Sequence, residues 1–432
     1  MEKVEIISEK DILRNIDIQK ISVFTSIVFT FLYLSISILM LQTERYRASG
    51  MHDNDLFFQA DSRYAVENLT QLTAHHYKRV HLHPTFVIMF NPIGEGINAI
   101  VHQPQITASI ICALFGGLNI GLLIYFFTLL KLPNQWSLLF GIVFGLSSTQ
   151  LVFSIVPDTY IFSATGVILL LIAGLKKWKI QYWALITAYL LGITITNVVP
   201  AALATFFFVF SGRIQQVWEK RAKVIQYCTI TGGVILILSL IQKAVFDLWM
   251  FSFISRADKE QNFMFIPHNL SEGLQRVVAL AEHIFIFNIV APLSSLVDHT
   301  LREGVQLLSF QHSSLASYST IGFVALVLWL VFLGIGIRLT VKYKLYQLTF
   351  VKACLAILSF HFILHFLYGD DLMLYSAHWT AIVFGLAAYM LKSSRFFEKH
   401  PAIPLIVPIS FCVVLAIDNS YLVYNMITAF HK

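Results

Sequence analysis

The chain reads as long apolar runs separated by short polar breaks, and within each run the apolar residues are continuous rather than alternating. A transmembrane helix needs about 20 consecutive apolar residues, whereas a membrane barrel alternates apolar and polar positions. Helices are therefore predicted and a barrel is excluded. About eleven spans are expected, at 21–41, 105–130, 135–156, 158–175, 182–196, 198–210, 224–242, 316–337, 353–368, 373–391 and 402–425. The uncharged stretch 182–210 is divided at Thr196, Asn197 and Pro200, because two helices there keep the basic loops on one side.

This is an all-α, polytopic integral membrane protein by pattern. It divides into an N-terminal segment (1–20), a transmembrane module (21–242) containing a long loop (42–104), a second long loop (243–315) and C-terminal transmembrane helices (316–432). Composition agrees: of 432 residues 57% are hydrophobic and 12% charged, about half the charged share of a soluble domain. The four cysteines, Cys112, Cys228, Cys354 and Cys412, fall inside apolar runs without metal-like spacing, so neither a disulfide framework nor a zinc site is expected from them.

A formal net charge of +6 raises the question of nucleic acid, but in a membrane protein such an excess reports basic cytoplasmic loops. No nucleic-acid partner is expected. With two helices in 182–210, alternate short loops and the N-terminus together hold 19 of the 30 Lys and Arg residues. That side is cytoplasmic by the positive-inside rule, which puts the N-terminus inside. The two long loops and the turns at Pro157-Asp158 and Gly369-Asp370-Asp371 then face outward. Fourteen of the fifteen histidines lie in or toward that outer half, His400 being the exception. The first 20 residues mix four basic with five acidic side chains, a poor signal-peptide start, so the first run is expected to be a retained helix.

The first outer loop holds Asp53, Asp55, Asp61, Arg63, His75, His76, Lys78, Arg79, His81 and His83. Leu56, Ala60, Tyr64 and Glu67 follow a near-helical rhythm, predicting a partly buried helix at the membrane surface. Its acids admit three readings: a general base toward an acceptor hydroxyl, Asp53 and Asp55 as ligands of a divalent cation such as Mg or Mn, or ordinary loop solvation. The basic residues beside them suit phosphate, whose oxygens Arg and Lys neutralise. A zinc site on His75, His76, His81 and His83 fits one helical face poorly.

Asp158, in VPDTYIFS, stands at the start of a helix and is read as an N-cap that also lines the outer cavity. Glu282 and His283 precede IFIFNIVAPLSSLV, expected to be a surface-lying or re-entrant helix. The stretch HFLYGDDLMLYSAHWTAIVF adds Asp370, Asp371, Tyr375 and His378 to the outer cavity, Tyr375 and His378 sharing one helix face; an aromatic belt above an ordinary loop is the alternative.

The run from FFQADSRY through HHYKRVHLHPTFVIMFNP resembles the first outer loop of GT-C fold glycosyltransferases, polytopic enzymes that use polyprenyl-phosphate-linked sugars. The helices ASIICALFGGLNIGLLIYFFTLLKL, SLLFGIVFGLSSTQLVFSIVPDTYIFSATGVILLL and WALITAYLLGITITNVVP are similar to the Gly-punctuated helices of the same group. The resemblance covers about residues 20–210, and the remainder only by topology. It implies that Asp61 matches the catalytic loop acid, His83-Pro84 the His-Pro element at the loop exit and Asp158 the acid at the outer end of the fourth helix. It also implies an inverting transfer to an extracytoplasmic lipid, glycan or protein acceptor. There is no adjacent Asp-Glu pair, and Asp53 and Asp55 depart from many members, which leaves open which acid is the base. Arg63, His76, Lys78, Arg79, His83 and Arg256 are the groups expected to bind the donor phosphate. A bacterial inner membrane is preferred to an endoplasmic reticulum membrane because the loops are short. A flippase for a lipid-linked glycan and a polymerase or ligase of surface polysaccharide are the rival readings.

Overall fold

Each apolar run identified in the sequence contains helix in the computed structural model, which describes residues 9–43, 56–72, 80–250, 261, 263–298, 304–393 and 406–429. Among these residues six helices are long and apolar enough to cross a membrane: α1 (Glu9–Leu41, apolar from Ile18), α4 (Pro104–Leu129), α11 (Arg221–Phe246), α13 (Thr320–Lys342), α14 (Thr349–Leu367) and α16 (Ile406–Thr428). Two bent pairs raise the number to eight if each is one span. One is α5 (Asn134–Leu146) with α6 (Ser148–Ile155), bent by 59°; the other is a 3-10 helix (Leu372–His378) with α15 (Thr380–Ser393), bent by 52°. Shorter apolar helices are α3 (Phe86–Val101), α7 (Tyr160–Lys176), α8 (Ile180–Ile193) and α9 (Val198–Phe210). The chain is thus an integral membrane protein with six to eight such helices among the described residues, and the expected runs 158–175, 182–196 and 198–210 are among the short ones.

Outward-facing apolar side chains such as Phe24, Phe31, Ile237, Val331 and Ile417 are exposed along these helices. A water-facing helix would place charge there, and a lipid-facing one does not need to.

Small residues let α1 and α4 approach closely. Cβ atoms added at Gly117 and Gly121 would lie 2.4 Å from the Ser26 carbonyl oxygen and 2.2 Å from Ser26 Oγ. Ser22 Oγ donates to the Gly121 carbonyl at 2.9 Å across the seam. This is the small-xxx-small arrangement of membrane helix pairs, in which backbone proximity and packing replace the hydrophobic drive that lipid cannot supply.

The bend between α5 and α6 has a cause. The segment after α12 (Leu270–Glu282), a π-turn at His283–Phe287 followed by Asn288–Val290, runs against it. The amides of Ser148 and Thr149 donate to the carbonyls of Ile289 and Asn288, each at 3.2 Å, and Asn419 Nδ2 reaches the carbonyls of both Leu146 (2.6 Å) and Ile289 (2.8 Å). Irregular backbone is tolerated at membrane depth where protein satisfies its polar groups. The re-entrant helix expected over IFIFNIVAPLSSLV is therefore a buried π-turn and an extended strand: β1 (Ser295–Asp298) pairs antiparallel with β2 (Gln306–Ser309), with Leu296 opposite Leu308. The sequence pattern excludes barrels and says nothing of this hairpin.

Hydrogen bonds between main chains knit the long-loop segments together. Phe58 N donates to the Leu308 carbonyl at 2.9 Å and Leu308 N to the Leu56 carbonyl at 2.8 Å. Phe265 N likewise donates to the Leu367 carbonyl (2.9 Å), and Gly369 N to the Phe263 carbonyl (2.8 Å).

Candidate functional site at one end of the bundle

The helix expected from the rhythm of Leu56, Ala60, Tyr64 and Glu67 begins only at Ser62. Its first part is displaced because Leu56 and Phe58 bond to β2, and Phe58 and Gln59 both take positive φ, 52° and 58°. Consecutive left-handed residues that are not glycine cost roughly 1–2 kcal/mol each and persist only where the surroundings over-determine them. The helix itself, α2 (Ser62–Thr70), is held to α3 through Asn91 Nδ2, which donates to the Asn68 and Gln71 carbonyls at 3.1 and 3.2 Å.

Asp61 stands at the N-terminus of α2, half-buried, and its carboxylate does not cap the helix. Its amide donates to Asp158 Oδ2 at 2.8 Å. Asp158 lies between α6 and α7 and is 1% exposed. Its Oδ1 accepts from the Thr159 amide and from Thr159 Oγ1; Thr159, not Asp158, occupies the N-cap position of α7, so the expected cap lies one residue off and Asp158 braces the turn before the helix while holding Asp61. Burial pushes its carboxyl up to about 6, against the pull of the Asp61, Thr159 and Tyr160 amides.

Tyr160 opens α7 and connects this pair to the 3-10 helix. Its ring lies 5.2 Å from that of His378 and 5.8 Å from that of Tyr375, perpendicular to the latter. Asp61, Asp158, Tyr368 and Tyr375 are all within its electrostatic reach. In a 3-10 helix positions i and i+3 eclipse, so Tyr375 and His378 do share a face, as expected. Asp371 caps this helix, Oδ1 accepting from the Met373 amide at 3.0 Å, while Oδ2 accepts from Ser309 Oγ at 2.6 Å. Buried among these, its carboxyl is also pushed up to about 6. Asp370, beside it, is half-buried.

The phosphate-binding expectations divide. His76, Lys78, Arg79 and Arg256 lie outside the described residues, as do Asp53, Asp55 and His75. Arg63 Nε pairs with Glu67 at 2.7 Å. His83 is buried; its Nδ1 meets the Ile193 carbonyl at 2.6 Å, its ring lies 5.1 Å from Tyr64, and it is within electrostatic reach of His378. The following Pro84 carbonyl accepts from Gln242 Nε2 at 2.9 Å, so the His-Pro element anchors the loop exit to α8 and α11. His283 is a core residue: its Nδ1 meets the Ala279 carbonyl at 2.8 Å, and burial lowers it to about 4.

Four residues that sequence reading passed over belong to the same cluster. Tyr160 is one. Arg276, on α12, donates through Nε and Nη2 to the His365 carbonyl at 3.1 and 2.6 Å and through Nη2 to the Gly369 carbonyl. It lies within reach of Asp370, Asp371 and Tyr375, and burial lowers its pKa. A half-buried guanidinium bonded to carbonyls at the end of α14 complements that helix's negative pole. The others are His361 and His365 on α14, whose i, i+4 spacing in FHFILHF is legible in the sequence as one helical face. Elsewhere, a cleft of about 380 Å³ lined by Ile18, Gln19, Ser22, Leu118 and Tyr125 lies at the Ile18 end of α1, away from the acids.

No model of a known protein family matches the sequence, and no curated protein matches it.

Proposed function

We propose that this chain is a GT-C-type membrane glycosyltransferase that moves a sugar from a polyprenyl-phosphate donor to an extracytoplasmic lipid, glycan or protein acceptor, with inversion. The observation that carries the reading is the bond from the Asp61 amide to Asp158, which joins at one point the two acids that the resemblance singles out. Around them stand Tyr160, next to Asp158 in the chain, and Tyr375, His378 and His83, supplied by two further stretches of chain.

In this reading Asp61 accepts the proton of the acceptor hydroxyl as its oxygen attacks the anomeric carbon, and the C–O bond to phosphate breaks with the electron pair leaving on the polyprenyl phosphate. A positioned base contributes typically 10²–10⁴-fold, and cations stabilise the leaving group. Asp158 positions Asp61. Both its oxygens are engaged by amide and hydroxyl donors, an arrangement that suits a positioning carboxylate and not a ligand of Mg or Mn, so no step runs through such an ion. The role of binding the donor phosphate is assigned to Arg63, His76, Lys78, Arg79, His83 and Arg256, of which Arg63 and His83 are among the described residues. The reading carries with it eleven spans, a cytoplasmic N-terminus and a bacterial inner membrane.

The test is release of polyprenyl phosphate from a panel of polyprenyl-phospho-sugars by the lipid-reconstituted protein. Release dependent on Asp61 supports the enzyme; no release from any donor by a folded protein that still binds the lipids overturns it. The two bent helix pairs favour a flippase as the second reading, since transporters use discontinuous helices.

A further inference from the structure

Three imidazoles meet near the outer-cavity residues without a chemical task assigned to any of them as a group. His361 and His365 project from α14 one turn apart, and His378 ends the 3-10 helix facing them. All three are buried, at 1%, 2% and 2% exposure. One nitrogen from each lies within 4.8 Å of the other two.

Their hydrogen bonding is the telling feature. Both nitrogens of His361, both of His378 and Nε2 of His365 have no hydrogen-bond partner among the described residues. A neutral imidazole carries one N–H and one lone pair, and burying either unmet is costly. Ring stacking accounts for part of the packing, with His361 and His378 5.5 Å apart and Tyr375 4.1 Å from His365, but stacking satisfies no lone pair. His365 Nδ1 faces the Tyr368 carbonyl at 3.3 Å, the outer contact that fixes a ligand imidazole's tautomer and leaves Nε2 as its lone-pair nitrogen.

We propose that His361, His365 and His378 form a binding site for a divalent transition-metal ion of zinc type, held by three imidazole nitrogens. Tetrahedral zinc with Zn–N bonds of about 2.0–2.1 Å sets its ligand nitrogens about 3.4 Å apart, within reach of these rings by modest side-chain rotation. Imidazole selects zinc, copper or nickel over the hard Mg and Mn ions that prefer oxygen. Three histidines leave the fourth position of the tetrahedron to a further ligand. The site adjoins the proposed reaction centre, since the His378 ring is 5.2 Å from Tyr160, but its existence does not depend on the glycosyltransferase reading.

The experiment uses full-length protein in lipid nanodiscs, stripped with chelator, reloaded with zinc or cobalt(II) chloride and freed of excess ion. The expected result is one ion per chain, with the visible ligand-field absorption of four-coordinate cobalt. His361→Ala and His378→Ala should each weaken zinc binding by more than ~100-fold, whereas a His75→Ala/His76→Ala variant retains it. Gel filtration reports folding of each variant. Should the variants fail to fold, X-ray absorption of zinc on the unsubstituted protein decides: a shell containing three imidazoles supports the site, and one or none overturns it. Folded protein that retains no ion, or a folded His361→Ala/His378→Ala variant that binds with unchanged affinity, also overturns it.

Discussion

The amide of Asp61 is held at 2.8 Å by the carboxylate of Asp158, 97 positions further along the chain. The bond fixes the Asp61 backbone without engaging the Asp61 carboxylate. Asp61→Asn should abolish donor cleavage, a loss of about 10²–10⁴-fold or more, with unchanged expression and melting temperature. Asp158→Ala should lower both activity and stability, because it leaves buried amides without an acceptor, each at a cost of about 1–3 kcal/mol. Equal effects of the two substitutions on stability would contradict this division of roles.

Titration of Asp158 and Asp371 gives a pH dependence with a definite sign. Asp158 and Asp371 each rise from 3.8 to about 6 in the folded protein, so between those values the folded state holds protons that the unfolded chain has released. Stability is therefore greatest at the acid end of that window and falls as pH rises through about 6, by about 3 kcal/mol for each group. Thermal denaturation from pH 4 to 7 in a fixed detergent measures it. Asp371→Asn should flatten the slope; a slope of the opposite sign would refute the assignment.

Gly369 has a φ of +94°, and a Cβ there would lie 2.4 Å from the Tyr375 ring. Gly369→Ala should destabilise the protein by at least about 1 kcal/mol through backbone strain alone. It should also displace Tyr375. A melting curve and donor-cleavage assay on the same preparation check both consequences.

Close approach of α1 and α4 predicts that Gly117→Val is far worse than Gly232→Val. Nothing stands within 4 Å of a Cβ at Gly232, whereas at Gly117 it would meet Thr30 Oγ1 at 2.0 Å. The yield of monodisperse protein from the two variants is the readout.

Orientation is open to labelling. Ala60 is 1% exposed and unsuited to it, but Leu72 and Ile266 are 59% and 68% exposed, and Trp218 is 73% exposed between α9 and α11. In a Cys228→Ser background, cysteines at positions 72 and 266 should react with an impermeant reagent from outside, and one at 218 only after lysis. The reverse pattern would invert the topology.

Much of this architecture is legible in the sequence because the bilayer imposes one rule on every spanning segment, that apolar length be continuous. Each run therefore has its helix. Periodicity does not reveal that the 135–156 run breaks at Ser147, since the break is made by Asn419 and the Asn288–Val290 turn from distant parts of the chain. For the same reason the rhythm of Leu56 and Ala60 misled: the main-chain bonds of Leu56 and Phe58 to Leu308 overrode a local helical preference. Asp61, Asp158, Tyr375 and His378 stood out as polar residues where polarity is costly. Arg276 did not, because in an amphipathic helix a single Arg looks like surface, and only its carbonyl partners on α14 distinguish it.

The pairing of Leu56 and Phe58 with β2 bears on biogenesis. Synthesis runs from the N-terminus, so the segment that sets Asp61 enters the membrane early, yet the strand that pins it follows some 250 residues later. The end of α14, which closes the other side through Phe263 and Gly369, follows later still. The acids are thus brought to their final geometry after most of the helices have inserted. Chains truncated before Gln306 should insert and pack α1 against α4, yet carry an unlocked Asp61 segment open to protease, which makes assembly of this end of the bundle a late checkpoint on the finished protein.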